Sequence, residues 1–568
     1  MIKPIRLWTA IQIVVCLNLT ALSTHAQILP LPQQPVPSPQ NPPTTSPQSP
    51  LLNPSLPPSK LPRLPLNNQN RIRVQRFLFV GNTIFSNQEL EKSVVPYLNR
   101  EITFSELQQA VDAVTARYVQ AGYINSGAVI NFLENPVRQR QNAYVVTIRV
   151  VEGTVGTITV EGAPRLHRYV RSRLRVAVSP VLNYNRLQER LRLLQVNRLI
   201  KTISANLSPN PQLGVSDLTV RVVANPSITV QPDLNNERSP LVGTFERRVD
   251  FVDINLFGFG DELNLTYRNT DGSNAGQASY ILPLNPHNTT LQLDYVNVHS
   301  NIIESPFNKL NISEIDRSYQ VTLRQPLLQI ATARSVKEFA VGVTGTREEG
   351  DERLLGIPFP ISAGADERGR TRISALRFFQ EWNQRSDQEV LLVRSQFNLG
   401  IGAFDATIHR SAPDSRFFTW QGQLVWLRKL NSHNLALLTR ASLQLATRRL
   451  VPFEQFDLGG VSTVRGYRQD ALLADNGIFG SLELRFPIIE RGIHQLHLGP
   501  FVDVGSGFNV QGTNPSVSTL LGTGLKIEYL LEDRLRLQLN YGIPVIAYPN
   551  QKRTLQENGL YLNLSYTF

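Results

Sequence analysis

The sequence predicts two small α+β repeats followed by an all-β transmembrane barrel of about 16 antiparallel strands. Three observations predict this fold class. The N-terminal segment has the composition of a secretory leader, helical periodicity is confined to residues 71–225, and residues 228–568 form short runs of alternating apolar and polar residues. Strands of about ten residues with connections of similar length give about 16 strands in residues 228–568.

The chain has 568 residues and a formal net charge of +12 at pH 7. A basic protein can bind nucleic acid or an anionic membrane surface. Its basic residues are spread along the chain without a cluster, however, and no nucleic-acid-binding module is recognisable. The sequence therefore predicts no nucleic acid partner, and the charge gives little support for any other partner.

Residues 1–26 are typical of a secretory signal peptide. Lys3 and Arg6 precede a mostly apolar run, and small residues, among them Ala26, occupy the positions that cleavage requires. An uncleaved membrane anchor is the alternative, which the proline-rich sequence that follows disfavours. The only cysteine, Cys16, lies in this segment, so we expect no disulfide in the mature chain. No later apolar run is as long as about 18 residues, the length that suggests a transmembrane helix.

Residues 27–70 are predicted to form a proline-rich linker. They contain many of the chain's 37 prolines. Proline fixes φ and removes a backbone donor, which favours extended backbone and prevents the formation of a core. A spacer is therefore a better interpretation of this segment than a recognition motif.

Residues 71–153 predict a first α+β unit. A strand ends at the turn signal Gly81, and capping boxes at Ser86 and Thr103 predict the starts of two helices. The second helix ends at Gly122, and a final strand completes the unit. The predicted apolar faces of this helix and this strand are Leu107, Val111, Val114 and Tyr118, and Tyr144, Val146, Ile148 and Val150.

Residues 154–225 repeat this plan. A strand containing Ile158 and Val160 is followed by a helix that Asn185 could cap, and then by a last strand. Two unrelated domains are the alternative, but the shared order of elements favours a tandem repeat. Small sheets of this kind expose edges that can bind an extended chain by strand addition. The predicted apolar faces of the helix and the last strand are Leu187, Leu191 and Leu194, and Leu218, Val220 and Val222.

Residues 228–568 carry the alternation expected of strands with one apolar and one polar face. One example places Leu525 and Ile527 on one face and Lys526 and Glu528 on the other. A soluble sandwich would turn the apolar face to a core, whereas a membrane barrel turns it to lipid and its polar face to the lumen. Export, the length of the all-β region and a last strand that ends on the aromatic Phe568 favour the barrel.

A long connection between two of these strands contains Val464-Arg465-Gly466-Tyr467, with glycines on both sides. A long loop in a compact fold is usually functional or disordered. Shortly after it comes the alternating segment Phe501-Val502-Asp503-Val504-Gly505. Arg465 and Asp503 can pair strongly if both are withdrawn from water. For the pair considered alone, a solvated turn arginine and an ordinary polar strand position are the alternative.

Together these segments resemble the ShlB/FhaC/HecB haemolysin secretion and activation family, the outer-membrane transporters of two-partner secretion within the BamA-like superfamily. The resemblance implies POTRA-like domains at residues 71–153 and 154–225 and a 16-stranded barrel from about residue 228. Val464, Arg465, Gly466 and Tyr467 match the family's VRGY loop tip, which folds into the pore. The matching partner strand positions are Phe501, Asp503 and Gly505 of the F-x-D-x-G motif, and Glu483 of an interior strand motif.

The resemblance implies two further features at the ends of the chain. Phe568 matches the C-terminal aromatic by which barrel precursors are recognised for assembly. Transporters of this family can begin with a helix that plugs the pore. The proline-rich start of the mature chain differs from that pattern, and the segment Asn235–Ser239 lacks the Asp-Asn-x-Gly form expected at the barrel opening. The sequence leaves open whether a plug exists.

We therefore expect an outer-membrane translocase that exports a specific, unfolded partner polypeptide of haemolysin or adhesin type. The POTRA-like domains would bind this secreted protein in the periplasm, and the barrel would contact outer-membrane lipid and the barrel assembly machinery. A general barrel assembly factor is the alternative, and a solute porin is a weaker one. No enzyme activity, cofactor or metal site is predicted, because no phosphate-binding loop is present and none of the eight histidines has metal-ligand spacing.

Overall fold

The computed structural model describes residues 52–54, 71–130, 138–139, 143–411, 413–431, 434–532, 534–549 and 552–568. The predicted signal peptide and the rest of the predicted proline-rich linker lie outside these residues. The chain divides into two compact units, one spanning Pro47–Asn225 and the other containing Pro226–Phe568. Among the described residues, no helix combines the length and the apolar composition that crossing a membrane requires.

The first of these units contains two consecutive repeats that share the element order strand, helix, helix, strand, strand, to which the first repeat adds two strands of two residues each. This order supports the predicted tandem repeat. The elements are β1 (Leu52–Pro54), β2 (Ile72–Val80), α1 (Asn87–Val94), β3 (Glu101–Ile102), α2 (Phe104–Gln120), β4 (Gly127–Ile130), β5 (Arg138–Gln139), β6 (Ala143–Val151), β7 (Thr154–Glu161), α3 (His167–Val178), α4 (Tyr184–Gln195), β8 (Ile200–Pro209) and β9 (Val215–Ala224).

The first repeat packs its helices on a sheet with the order β3-β2-β6-β4. Both predicted capping boxes form, at Ser86 before α1 and at Thr103 before α2. Helix α2 ends where predicted, since Gly122 adopts a positive φ of 92° that favours glycine. The apolar faces of α2 and β6 meet in the core, where the buried residues include Leu107, Val111, Val114, Tyr118, Val146, Ile148 and Val150.

The second repeat has the sheet order β1-β8-β9-β7, with α3 and α4 as its helices. The predicted helix is α4, but the prediction of its cap was wrong. Asn183 caps it by accepting a hydrogen bond from Arg186 N at 3.1 Å, so that Asn185 lies in the first turn. Helix α3 was not predicted, because its several arginines interrupt the apolar pattern and no side chain caps its start. The residues predicted to be buried here, Leu187, Leu191, Leu194, Leu218, Val220 and Val222, are buried.

The other unit is a closed barrel of 16 antiparallel strands, as predicted. Strand β17 only extends the edge of β16, and β22 and β23 form a separate two-stranded ribbon. The strands are β10 (Ile228–Asn235), β11 (Glu246–Asp253), β12 (Glu262–Asn269), β13 (Ser273–Pro283), β14 (Thr290–Asn301), β15 (Ser313–Ala331), β16 (Ser335–Leu354), β17 (Ile357–Pro358), β18 (Arg370–Ser386), β19 (Glu389–Ile401), β20 (Phe418–Lys429), β21 (Ala436–Ala446), β22 (Phe456–Leu458), β23 (Leu472–Ala474), β24 (Asn476–Arg491), β25 (His494–Phe508), β26 (Thr519–Leu531), β27 (Leu535–Pro544) and β28 (Leu560–Tyr566).

The barrel turns its apolar faces outward, as the alternation predicts. Leu525 and Ile527 are exposed on the outer face of β26, whereas Lys526 and Glu528 between them face the interior and are largely covered. The last strand closes the barrel by pairing with the first, but the ladder between β28 and β10 has only three residue pairs, at Asp233–Asn235. A polar interior within an apolar exterior is the arrangement of a transmembrane barrel.

Candidate functional site

The connection between β21 and β24 folds as a hairpin inside the barrel. Its two limbs pair through β22 and β23, and the loop tip, Val464–Tyr467, lies between them. Apolar residues of both limbs pack on the interior-facing Phe479 of β24 and Leu520 of β26. The connection is therefore a packed element in the lumen. Its buried apolar residues are Phe456, Leu458, Val464, Tyr467, Leu472 and Ala474.

Arg465 of the loop tip is bound by two carboxylates on the barrel wall. Its Nε and Nη2 donate to Asp503 Oδ2 and Oδ1 at 2.7 and 2.9 Å, and its Nη1 donates to Glu483 Oε2 at 2.6 Å. Its guanidinium carbon lies 3.4 Å from the centre of the Phe501 ring. Arg465 is only 2% exposed, so it is not a solvated turn residue. We call Arg465, Glu483, Phe501 and Asp503 the loop anchor.

The strand alternation explains why these residues meet. On β25, Phe501 and Asp503 face inward and are buried, whereas Val502 and Val504 on the outer face are 50% and 44% exposed. Glu483 on β24 pairs with Phe501 in the ladder, which brings its carboxylate to the same interior surface. Two neighbouring strands therefore present two acids and one ring to a single arginine.

Two further arginines, whose involvement no sequence pattern indicates, lie at the loop anchor. Arg485 Nε donates to Glu483 Oε1 at 3.1 Å. Arg440 on β21 donates through Nη1 to Ser462 O of the loop at 2.9 Å. Buried charges are tolerated when they are paired and hydrogen-bonded, and removal of one partner of a buried pair typically costs about 3–5 kcal/mol. The loop position is therefore defined by a charge network.

The loop backbone lies directly against two other strands at positions where only glycine fits. A Cβ atom added at Gly522 of β26 would collide with Arg465 O, and one at Gly542 of β27 would collide with Gly466 N. Gly466 itself has a φ of 101° and approaches the backbone of β27. Glycine inside a strand often marks such a close approach of another backbone. That signal was present in the sequence for Gly522 and Gly542.

Tyrosine hydroxyls hold the second half of the loop tip. Tyr467 Oη lies within hydrogen-bonding distance of the carbonyl oxygens of Leu521 and Ile546, at 2.9 and 2.8 Å. Tyr561 Oη of β28 accepts a hydrogen bond from Gly466 N at 3.0 Å and donates to Tyr467 O. The loop tip therefore contacts the five strands β24, β25, β26, β27 and β28.

A second attachment lies just beyond the loop tip. Arg468 donates through Nη1 and Nη2 to the two carboxylate oxygens of Glu304 at 3.0 and 2.8 Å, and through Nη1 to Glu557 at 3.3 Å. Glu304 lies in the connection between β14 and β15, and Glu557 in the connection between β27 and β28. This contact could not be predicted, because nothing in the sequence indicates which of these connections meet.

Not every predicted site residue belongs to the loop anchor. Gly505 lies next to it, where a Cβ atom would come within 2.6 Å of Leu458 Cδ2. Phe568, the predicted assembly signal, is 72% exposed; its ring centre lies 4.7 Å from that of Tyr566, and its backbone N donates to Val230 O of β10 at 2.9 Å. Among the residues that the structure describes, no group of histidine, cysteine or acidic side chains could hold a metal ion.

The model for the family "Haemolysin secretion/activation protein ShlB/FhaC/HecB" matches residues 214–529, more than half of the chain. The chain belongs to this family. A second model, "POTRA domain, ShlB-type", matches residues 72–153, the first repeat. The family assignment confirms the predicted resemblance to outer-membrane transporters of two-partner secretion, with the POTRA domain in the periplasm.

Relatives and solved structures agree with this family. The outer membrane transporter CdiB of Dickeya dadantii (strain 3937) is 21% identical over 483 residues, which cover 83% of this chain and 82% of the relative. CdiB of Escherichia coli O6:K15:H31 (strain 536 / UPEC) is 27% identical over 172 residues, which cover 30% of this chain and 28% of the relative.

The solved structures share the fold. CdiB from Escherichia coli has a TM-score of 0.67 at 19% identity, covering 90% of this chain and 94% of that chain. CdiB from Acinetobacter baumannii has a TM-score of 0.59 at 16% identity, covering 93% of this chain and 94% of that chain. BamA from Haemophilus ducreyi lacking POTRA domains 1–3 has a TM-score of 0.51 at 13% identity, covering 88% of this chain and 100% of that chain.

Proposed function

We propose that this chain exports one specific partner polypeptide, unfolded, from the periplasm to the cell surface, and that the loop anchor is a conformational latch on the export path. The observation that carries the latch is the position of Arg465 inside the barrel, bonded to Asp503 and Glu483. A polypeptide that crosses the lumen must pass this loop. The loop tip therefore has two positions, one held by the loop anchor and one that allows passage.

The chemistry of the loop anchor suits a reversible contact. A buried ion pair contributes little net stability, because the desolvation of both charges offsets their attraction, yet it can define a single arrangement. When the loop leaves, Arg465, Asp503 and Glu483 regain water in the polar lumen, which lowers the free energy of the open position. An apolar contact of the same size would gain no such hydration when it separates, so its open position would be higher in free energy.

No nucleotide-binding motif was found in the sequence. Export is instead driven by folding of the exported polypeptide outside the cell, which prevents its return. The sheet edges of the repeats provide the initial binding site, because an extended chain can add to an exposed edge through backbone hydrogen bonds.

General barrel assembly is the second candidate function, and one observation favours it. The closing ladder between β10 and β28 has three residue pairs, whereas β27 and β28 share seven. A short closing ladder is the easiest place to open the wall towards lipid. The likeness to BamA concerns the fold and is compatible with either function.

Deletion of the gene followed by quantitative proteomics of medium and outer membrane distinguishes these functions. A dedicated exporter predicts that one or a few large secreted proteins disappear from the medium while other barrels keep their abundance. A joint fall of many outer-membrane barrels would instead identify an assembly factor. No change in either fraction would contradict both functions and favour a solute channel.

A further inference from the structure

The positive charge of the chain is concentrated in the second repeat. Residues 154–225 contain 11 arginines and lysines but only three acidic residues, a net charge of +8, whereas residues 71–153 have a net charge of +2. The expectation that the basic residues form no cluster is therefore wrong for this repeat. Because the two repeats share one element order, the fold itself does not require this charge.

The acidic residues of the second repeat leave most of this charge in place. Glu161 pairs with Arg221 at 3.2 Å, and Asp217 accepts a hydrogen bond from Thr157 N at 2.8 Å. These two acids lie on the strands β7 and β9, and the third, Glu189, lies on α4. Helix α3 therefore contains four arginines and no acid.

Two arginines of the helices stabilise the repeat itself. Arg173 of α3 is buried, and its guanidinium carbon lies 3.5 Å from the centre of the Tyr169 ring. Arg186 of α4 donates through Nε to Ala177 O at 2.6 Å and through Nη2 to Val181 O at 2.7 Å. These side chains hold α3 and α4 together, so they are not candidates for binding a ligand.

The other three arginines of α3 form one exposed face of the helix. Arg168, Arg171 and Arg175 are exposed, and their spacing of three and four residues places them on the same side. We call them the basic stripe. Like charges at this spacing destabilise a helix, and Arg168 lies near the positive end of the helix dipole, where no side chain caps α3. The corresponding helix α1 instead contains two glutamates and one lysine. An arrangement that costs stability and is absent from the first repeat indicates a ligand.

We propose that the basic stripe docks the second repeat on the anionic phospholipid headgroups of the membrane that holds the barrel. The planar guanidinium of arginine can bind a phosphate through two parallel hydrogen bonds. The basic stripe extends about 10 Å along the helix, so it can bind more than one headgroup at a time. Only residues 225–227 separate β9 from the first barrel strand, β10, and a connection this short keeps the repeat next to the membrane.

An acidic polypeptide is the other ligand of suitable charge, but the geometry favours lipid. The backbone donors and acceptors of a helix are bonded within the helix, so the basic stripe could hold an extended chain only through side chains. A lipid surface presents many phosphates in one plane to a straight row of arginines. Each basic residue close to an anionic surface shifts the docking equilibrium about fivefold, so three arginines shift it about 100-fold.

A fluorescent label beside the basic stripe tests this inference on the full chain. In a Cys16→Ser chain, Ser172→Cys places the label on α3, one turn from Arg168 and Arg175. The chain is reconstituted in phosphatidylcholine nanodiscs that carry a quenching nitroxide on the headgroup. We expect strong quenching when phosphatidylglycerol replaces part of the phosphatidylcholine, and weak quenching without it or at high salt. A label on Ser93→Cys of α1 should respond to neither change.

Two variants of equal charge show whether the basic stripe is responsible. Substitution of glutamine for all three of its arginines should lower the ratio of docked to undocked repeat about 100-fold. The matched control removes the same charge from exposed positions of the first repeat, by Arg71→Gln, Arg73→Gln and Arg76→Gln. This control should be quenched as strongly as the chain with the unchanged repeat.

Quenching that depends on neither phosphatidylglycerol nor salt would overturn the docking. An equal loss of quenching in the control variant would assign the effect to net charge and would overturn the role of the basic stripe. If the label is not quenched, but its anisotropy rises with polyglutamate and only when the basic stripe is intact, the ligand is an acidic polypeptide and lipid docking is wrong. Since secretion is not measured, these outcomes leave the proposed function untouched, and failure of that function would leave lipid docking standing.

Discussion

The first repeat and the barrel each hold a turn of the chain with a carboxylate contact, but the two contacts differ in burial and in the charge of the groups that the carboxylates bind. In the first repeat, Glu152 accepts hydrogen bonds from Thr83 N at 2.7 Å, Ile84 N at 2.8 Å and Tyr118 Oη at 2.8 Å. All of these donors are neutral. In the barrel, Arg465 is bound by two charged acids instead.

This difference indicates which contact is built to open. Separation of Glu152 from Tyr118 would leave the hydroxyl of a tyrosine that is buried in the core of the repeat without its partner, and the core offers no replacement. Separation of Arg465 from Asp503 and Glu483 releases three charges that water in the lumen solvates well. The first contact is suited to permanent structure, and the second to a two-position element.

Among the changes that test this difference, removal of Arg465 should have the largest effect on secretion. Arg465→Ala leaves Asp503 buried without its guanidinium partner, while Glu483 keeps only Arg485, at a cost of about 3–5 kcal/mol to the closed position. We expect the barrel to assemble and secretion to fall, because the loop no longer has a defined closed position from which it moves. Heat-modifiability on gels measures assembly, and immunoblots of the medium measure secretion.

The matched control is Arg247→Ala, since Arg247 forms an exposed ion pair with Asp271 at 2.7 Å in a connection. Exposed pairs contribute about 0–1 kcal/mol, so this variant should secrete normally. Normal secretion by Arg465→Ala would contradict the hypothesis that the loop anchor is a latch.

Crowding the backbone of the loop tip is expected to have the next largest effect. Gly522→Ala places a Cβ against Arg465 O, so the loop tip must move while all charges of the loop anchor remain. We expect a larger or noisier conductance in planar bilayers. Gly345→Ala is the control, because a Cβ there meets nothing within 4 Å. Equal conductance in the two variants would show that the loop tip does not define the closed pore.

The second attachment of the loop should have a smaller effect. Arg468→Gln removes its ion pairs with Glu304 and Glu557, and the side chains of Arg468 and Glu304 are 16% and 12% exposed, more than those of the loop anchor. We expect brief openings in single-channel recordings with secretion close to normal. A conductance change as large as that of Arg465→Ala would place the decisive contact at Arg468.

The smallest effect belongs to the permanent contact in the first repeat. Burial raises the pKa of Glu152, but hydrogen bonds from Thr83, Ile84 and Tyr118 outweigh it and hold the pKa below its usual range. A lowered folded-state pKa adds stability above the unfolded pKa, which is lost as pH falls through the folded value. The protection factors of the α2 amides, corrected for the intrinsic pH dependence of exchange, should therefore fall on acidification.

Glu152→Gln should abolish most of this acid dependence, at a cost of about 1 kcal/mol at neutral pH, and leave secretion unchanged. An acid dependence that survives in Glu152→Gln would assign the effect to another group.

Local patterns in the sequence predicted the repeats and the barrel well, because capping boxes and alternation are read from neighbouring residues. The errors also have local causes. Two asparagines, Asn183 and Asn185, compete for one helix start, and the arginines of α3 conceal its apolar face. The loop motif and its acid could be predicted from the resemblance.

Other contacts of the loop could not be predicted because they depend on the register of distant strands. Arg440, Arg468 and Tyr561 are ordinary strand or loop residues until the closed barrel brings them to the loop. The pairing of β1 with β8 could not be predicted either, because proline-rich sequence is extended both inside and outside sheets. Closure of the barrel, a property of all strands together, creates most of the site.

The central claim, that the loop tip must leave its closed position for export, has a direct test. Val464→Cys with Gly505→Cys places two sulfurs in contact range, because a Cβ at Gly505 lies 3.0 Å from Val464 Cγ2. Secretion of the exported protein is measured before and after reduction, with each single cysteine variant as a control. The latch predicts that the oxidised double variant secretes nothing and that reduction restores secretion. Secretion at the level of the single variants with a complete disulfide would contradict it.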